Sequence, residues 1–416
     1  MFKMELDSIF ESFSKNVIFR DKSILQTNYV PKEILYRDNE IKQIASILAP
    51  VLRGEKPSNL FLYGKTGTGK TLSIQYIQKN LINRVKEGSD FKLRIEYVNC
   101  KLKKVSDTEY RILAELIKKL GGNIPATGLP TESVYNKFIE LIDSEKQLVV
   151  LILDEIDQTV KKISDNFLYN LTRLNSELSK TRLSVVGISN DLTFLDNIDP
   201  RVKSSLSEEE IVFPPYNAVQ LREILKMRSK EVFKQGVMQE GVIEKCAGFA
   251  AREHGDARRA LDLLRIAGEL SERDGSKKIT IKHIDEANSK IERDKILETI
   301  STSPKQFQIV LYSIINLAER KNKPQKSLLN NNREGTVFTG EVYGHYQKLC
   351  SQNNFEVLTS RRVNDIIHEF MMLGIIDVKI ISKGRGGRMS EIKLTITESL
   401  INKAKKLIED SLNFKK

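Results

Sequence analysis

The amino-acid sequence predicts an α/β protein: a parallel sheet, then a helical unit, then a basic unit ending in a hairpin. Three observations carry this prediction. Across residues 31–213, four short runs that are apolar almost throughout (60–63, 95–99, 148–153 and 183–189) alternate with helical periodicity, as buried parallel strands do. The first run leads straight into Gly64-Lys65-Thr66-Gly67-Thr68-Gly69-Lys70-Thr71. Strict period-two alternation returns only after Gly374, where Ile376, Val378 and Ile380 on one strand answer Ile392, Leu394 and Ile396 on the next.

The sheet unit is expected over 31–213, behind an N-terminal arm of residues 1–30. Pro214-Pro215 interrupts its pattern, and from Val219 to Ile291 the signals are helical only, with Gly255 and Gly275 as punctuation. This predicts a small helical unit over 214–298 and a third unit over 299–416. A length of 416 residues, against ~150 per domain, agrees with two to three domains.

Composition narrows the setting. Cys100, Cys246 and Cys350 lie far apart, so neither a disulfide framework nor a zinc site is indicated, and a reducing, intracellular protein is expected. The first ten residues carry acids where a signal peptide needs an apolar core, and the aliphatic run 148–153 is too short to span a bilayer. No membrane partner is expected. The net charge of +12, from 67 basic and 55 acidic residues, favours a polyanionic partner, and from Ile300 onward 19 basic residues face 11 acidic ones.

The glycines of the loop let successive backbone N–H groups turn toward phosphate oxygens. Lys70 can reach the β and γ phosphates, the Thr71 hydroxyl can ligate Mg²⁺, and Leu72 continues into the helix whose N-terminus adds its positive dipole end. The run 148–153 ends in Asp154-Glu155. Asp154 can join Thr71 in holding the metal, while Glu155 can orient and polarise the attacking water. The next run ends in Asn190, a neutral amide able to position that water without adding charge, or else a turn residue. Arg201, on the rigid turn after Asp199-Pro200, suits phosphate on a neighbouring subunit; an ordinary surface arginine is the alternative. Arg258 opens a helix after Gly255-Asp256-Ala257 and can sense the γ phosphate if its unit folds over the nucleotide; its alternative is a basic helix face.

These elements, in this order, resemble the AAA+ ATPases, with Walker A, Walker B, sensor 1, arginine finger and sensor 2 represented. Further motifs narrow the resemblance: Asn28-Tyr29-Val30-Pro31 with Tyr36-Arg37-Asp38-Asn39-Glu40, Phe213-Pro214-Pro215-Tyr216 with Arg228, and Gly255-Asp256-Ala257-Arg258-Arg259-Ala260. Together these resemble the archaeal origin-recognition initiators, relatives of the largest subunit of the eukaryotic origin recognition complex and of its helicase-loading paralogue. The resemblance implies an AAA+ P-loop sheet domain with a helical lid, followed by a winged-helix domain. It also implies ATP/ADP and Mg²⁺ as cofactors, with Val30, Pro31 and Arg37 bordering the adenine and Tyr216 and Arg228 contacting nucleotide from the lid. Residues 106–120 occupy the place of the family's helical insertion, although an ordinary amphipathic helix accounts for them almost as well. The partners implied are duplex origin DNA, the replicative MCM helicase and other initiator paralogues on DNA, in a cytoplasmic, nucleoid-associated setting. A weak ATPase acting as a switch would follow.

The last unit offers the DNA-facing chemistry. Thr359-Ser360 can cap a helix whose Val363, Ile366, Ile367, Phe370 and Met371 form one apolar face, leaving Arg361, Arg362 and Asn364 at its start, then His368, on the other. Arg and Asn there are the residue types that read guanine and adenine edges in a major groove. Lys383, Arg385 and Arg388 stud the glycine-rich hairpin tip, suited to a minor groove or to phosphates. A winged helix that binds protein remains the alternative at this point, as do a transcription regulator using the same switch and a clamp-loader-like ATPase. The polar segment 321–339 departs from the family's usual pattern.

Overall fold

The computed structural model describes residues 18–26, 29–85, 91–101, 108–125, 128–206, 208–322, 337–382 and 388–413. The chain divides into two compact units, 1–285 and 286–416. The division falls inside the continuous helix Ile281–Thr302, ahead of the expected boundary at 299, and no glycine or proline marks it.

The first unit is built on five parallel strands, β1 (Leu60–Tyr63), β2 (Lys92–Asn99), β3 (Gln147–Asp154), β4 (Arg182–Ser189) and β5 (Glu209–Val212), in the order β2-β3-β4-β1-β5. Both faces of the sheet are apolar, which is why the runs read as continuous. Phe61, Val149, Leu151 and Leu153 enter one core with the helices Glu109–Lys119 and Thr131–Ile142. Leu60, Leu62, Leu148, Val150 and Ile152 enter the other with Asp38–Leu48 and Lys70–Arg84. Period-two alternation thus sends neighbours into different cores. Strand β5 is an addition to the four expected; its Glu209-Glu210 start is exposed at the sheet edge and hides the apolar signal.

The segment with the expected insertion is helical over Glu109–Lys119, capped by Thr108, and Ile112, Leu113, Leu116 and Ile117 are buried in the first core. The helices Ala218–Val232, Val242–Arg252 and Ala257–Arg273 form the helical part, the first closed at its start by a reciprocal Asn217–Gln220 capping box.

In the second unit, helices Lys305–Asn322, Thr339–Gln352, Ser360–Met372 and Glu398–Leu412 enclose one core with an antiparallel sheet. That sheet comprises β6 (Val337–Phe338), β7 (Ile376–Ser382) and β8 (Arg388–Leu394) in the order β6-β8-β7. Ile376 and Ile392 are buried as expected, but Ile380 is 69% exposed: the outer half of the hairpin runs beyond the helices that would cover it. Strand β6 and the start of helix Thr339–Gln352 lie within the polar stretch 321–339, most of which falls outside the described residues.

Candidate nucleotide site and DNA-facing helix

At the C-terminal ends of β1, β3 and β4 lies a cleft of about 420 Å³. Open parallel sheets bind ligands at this end, because strand-to-helix turns and helix N-termini converge there. The phosphate loop leaves β1 and enters the helix Lys70–Arg84 through two left-handed glycines, Gly67 (φ 73°) and Gly69 (φ 94°).

Lys70 is 4% exposed and gives its three ammonium protons to Gly64 O (2.6 Å), Lys65 O (2.9 Å) and Asn190 Oδ1 (2.9 Å). Burial pushes its pKa down to about 8; the Asp154 charge opposes this and the Arg258 charge reinforces it. A lysine held this way is a buried cation suited to an anion.

Thr71 Oγ1 donates to Asp154 Oδ2 at 2.8 Å, so the two residues expected to hold a metal already meet. Tyr97, on β2, donates its hydroxyl to the same Oδ2 at 2.7 Å, and burial, then the Asp154 charge, raises its pKa. Glu155 follows in the left-handed region (φ 57°), where the chain turns from strand into helix. Both acids and Asn190 line the cleft.

The helical part closes the other side. Asp256 caps the helix Ala257–Arg273, accepting from the backbone N–H of Arg258 (2.8 Å) and Arg259 (3.3 Å), while Ala257 N donates to Gly67 O at 3.2 Å. This docks the helix on the phosphate loop and sets Arg258 on the cleft wall. Tyr216 and Arg228 line the same wall. Arg228 is 5% exposed, its guanidinium lies 4.6 Å from the Tyr29 ring centre, and its Nε and one terminal nitrogen have no hydrogen-bond partner.

Of the residues expected around a nucleotide, Val30, Pro31, Gly67, Thr68, Gly69, Lys70, Thr71 and Leu72 line the cleft from the sheet side. Gly64, Lys65 and Thr66 lie outside its lining; the first two act through carbonyls bonded to Lys70. Arg37 is also outside the lining. It is 2% exposed and donates to Thr68 O (2.7 Å), Tyr36 O (3.2 Å), Glu40 Oε1 (3.1 Å) and Pro214 O (2.6 Å), with its guanidinium 3.9 Å from the Tyr216 ring centre. Here it joins the loop to the start of the helical part from behind. Arg201 is 70% exposed and pairs with Asp199 through two hydrogen bonds (3.0 and 2.8 Å), away from the cleft.

Tyr97 and Asp256 are the residues that sequence reading missed. Tyr97 sits in an unremarkable strand, and only the β2–β3 register brings it to Asp154. Asp256 stood in the sequence beside a helix start, which was the available signal.

These residues fit a nucleoside triphosphate with a divalent cation: a left-handed glycine cradle, a buried lysine, unpaired guanidinium nitrogens in the wall and a Thr–Asp oxygen pair. Among the described residues no cluster of three or more His, Cys, Asp or Glu side chains forms a separate metal site, and no helix is long and apolar enough to cross a membrane.

In the second unit, Thr359 accepts from Arg362 N at 3.4 Å and opens the helix Ser360–Met372. Val363, Ile366, Ile367 and Phe370 are buried, and Arg361, Arg362, Asn364 and His368 are exposed, as the periodicity requires. Asp365 and Glu369 share the exposed side, and Arg362 lies 3.8 Å from Asp365. Lys383 and Arg385 lie outside the described residues; the Arg388 backbone pairs with Ser382 at the outer end of the hairpin.

A phosphate loop, strand-end acids, a polar residue on the adjoining strand and a helical part that places an arginine on the cleft define an AAA+ ATPase, here joined to a winged helix. Residues 53–193 match the AAA domain model, 222–289 the Cdc6 AAA+ ATPase-type lid domain and 298–404 the CDC6 C-terminal winged helix domain. The chain belongs to the family of ORC1-type DNA replication proteins. It is 48% identical over 397 residues to the Thermococcus onnurineus member, covering 94% of this chain and 92% of that one. The Pyrococcus furiosus member is 47% identical over 400 residues, covering 95% and 91%. Among solved structures, the Aeropyrum pernix ORC1 protein in complex with DNA superposes with a TM-score of 0.78 at 39% identity, over 95% of this chain and 98% of that chain.

Proposed function

We propose that this chain is an ATP-controlled replication initiator that grips duplex origin DNA and helps bring the replicative MCM helicase to it, in the cytoplasm and on the nucleoid. Membership of the ORC1-type family supports the initiator role, and a relative 39% identical was solved with DNA. The observation that carries the ATP control is the docking of the helix Ala257–Arg273 on the phosphate loop through Ala257 and Gly67. Whatever reshapes the loop also acts on the helical part.

Lys70, Arg258 and the loop N–H groups would hold the phosphates, and Thr71 and Asp154 the Mg²⁺, which supplies charge neutralisation when bound. Glu155 and Asn190 would place the attacking water. Val30, Pro31, Tyr216 and Arg228 would border the base. Occupancy of the cleft then sets the angle of the helical part, a switch rather than a motor. Arg361, Arg362 and Asn364 would read the major groove, and Lys383, Arg385 and Arg388 would follow the backbone or minor groove.

The test is Lys70→Ala. Nucleotide retention should be lost while much duplex affinity stays, because the winged-helix contacts need no ATP. Equal loss of both in a folded protein would sink this division of labour. Mapping bound sites in the source cells separates an initiator from a transcription regulator: sites away from origins would favour the regulator.

A further inference from the structure

The sheet has a second concavity at its opposite end. A cleft of about 400 Å³ is lined by Gln147 and Leu148 at the start of β3, Arg182 at the start of β4, Lys146, Lys180 and the Phe91 ring. Along β3, Gln147 and Asp154 are separated by about 23 Å at the rise of a strand, so this cleft is separate from the nucleotide site.

Three features mark it as built. First, Lys146, Lys180 and Arg182 are exposed, and the side chains of Lys180 and Arg182 donate to carbonyls, Ser144 O (3.3 Å) and Thr181 O (3.5 Å). The nearby acids are engaged elsewhere: Glu145 pairs with Lys92 (2.7 Å) and Arg94 (3.5 Å). Asp143 accepts from Ser179 N (3.0 Å), Ser179 Oγ (2.7 Å), Lys180 N (2.8 Å) and Thr181 N (2.8 Å).

Second, those Asp143 bonds fix the loop that presents Lys180 and Arg182. Thr181 Oγ1 adds a bond to Ile142 O at 2.6 Å, so the cations sit on a preorganised turn. Third, Gln147 is 4% exposed; its Nε2 donates to Ile142 O, and its Oε1 has no hydrogen-bond partner. Opposite, Gly54 leaves room for Phe91, whose ring carbon would lie 2.8 Å from an added Cβ.

We infer that this cleft is a second anion site, in which Lys146, Lys180 and Arg182 take phosphate groups. Cations lining a concave surface without acidic partners select phosphate oxygens. The net charge of +12 and the proposed DNA-binding role favour phosphates of a duplex backbone over a free phosphate compound. In that respect the inference rests on the proposed function.

The test uses the full chain, a fluorescent duplex and inorganic pyrophosphate. With Lys146→Ala, Lys180→Ala and Arg182→Ala combined, the slope of log affinity against log salt should flatten by about 0.9 for each phosphate no longer neutralised, ~2.7 for all three. The charge-preserving pair Lys180→Arg and Arg182→Lys should keep the slope, and thermal melting should match the parent in both. Pyrophosphate binding is read in a Lys70→Ala background, which removes the phosphate-loop site. An unchanged duplex slope with pyrophosphate binding abolished in the triple variant keeps the site and assigns it a free phosphate compound. An unchanged slope together with unchanged pyrophosphate binding overturns it. If the parent chain binds no duplex, the DNA reading fails, and the pyrophosphate arm alone decides the cleft.

Discussion

The carboxylate of Asp256 occupies the space that a side chain on Gly67 would need: a Cβ built there would overlap Oδ1. The phosphate loop and the helical part are interlocked at one glycine, which also adopts φ 73°. Gly67→Ala should therefore destabilise the nucleotide-free protein by roughly 1–3 kcal/mol from left-handed backbone strain, with the clash added. Combining it with Asp256→Ala should relieve the clash and leave the backbone strain and the loss of the Asp256 helix cap. Additive losses in a thermal-denaturation double-mutant cycle would show that the two do not meet.

Arg37 leads to a prediction that separates two roles. A residue at the adenine would matter only with nucleotide bound. An arginine that donates to Thr68 O, Glu40 and Pro214 O holds the structure in its absence. Arg37→Ala strands those acceptors, and about 3–5 kcal/mol of stability should be lost in the apo protein. Arg37→Lys should recover little, since one ammonium cannot replace the planar fork. Unchanged apo unfolding with weakened ATP binding would assign Arg37 to the nucleotide alone.

The contrast between these residues and the loop explains what was legible in the sequence. Strands β1, β3 and β4 were legible because both their faces are buried, the edge strand β2 because Ile95 and Val98 still enter the two cores, and the loop because its chemistry is contiguous. Strand β5 was not, since an edge strand can carry Glu209 and Glu210. Tyr97, Asp256 and the buried position of Arg37 depend on contacts between residues 31 to 189 positions apart, for which no local period exists. Ile380 kept the core alternation but passed the end of the core.

Lys70 should make nucleotide binding pH-dependent. Its pKa falls from 10.5 to about 8 because burial penalises the cation. A lowered folded value means that the penalty, about 3 kcal/mol, is fully present below pH 8 and is relieved as pH rises from 8 toward 10.5. Apo stability should thus rise through that window, and Lys70→Met should remove the rise. Bound phosphate restores the cation, so nucleotide binding at pH 8.5 should take up protons, falling toward none below pH 7. Calorimetry in buffers of different ionisation enthalpy reads this directly, and no uptake at pH 8.5 would contradict the buried, depressed lysine.

Tyr97 donates to the Asp154 oxygen that also accepts from Thr71. When Thr71 turns to a cation, the Tyr97 bond is left to hold the carboxylate. A hydrogen bond to a charged group is worth about 1.5–3 kcal/mol, so Tyr97→Phe should weaken Mg²⁺-supported ATP binding by about tenfold or more. Binding in excess chelator should stay as it was. Equal weakening with and without Mg²⁺ would assign Tyr97 to packing alone.

Arg201 lies outside its own cleft, exposed and paired with Asp199. A guanidinium there can act on ATP only from a neighbouring subunit, so hydrolysis should depend on protein concentration and on DNA long enough for two chains. Arg201→Ala should bind ATP normally yet hydrolyse it slowly, and Lys70→Ala should neither bind nor hydrolyse. Mixed on such DNA, the two should regain activity, because Lys70→Ala supplies the arginine and Arg201→Ala the intact cleft. Full hydrolysis by Arg201→Ala alone would make Arg201 an ordinary surface residue whose partner is Asp199.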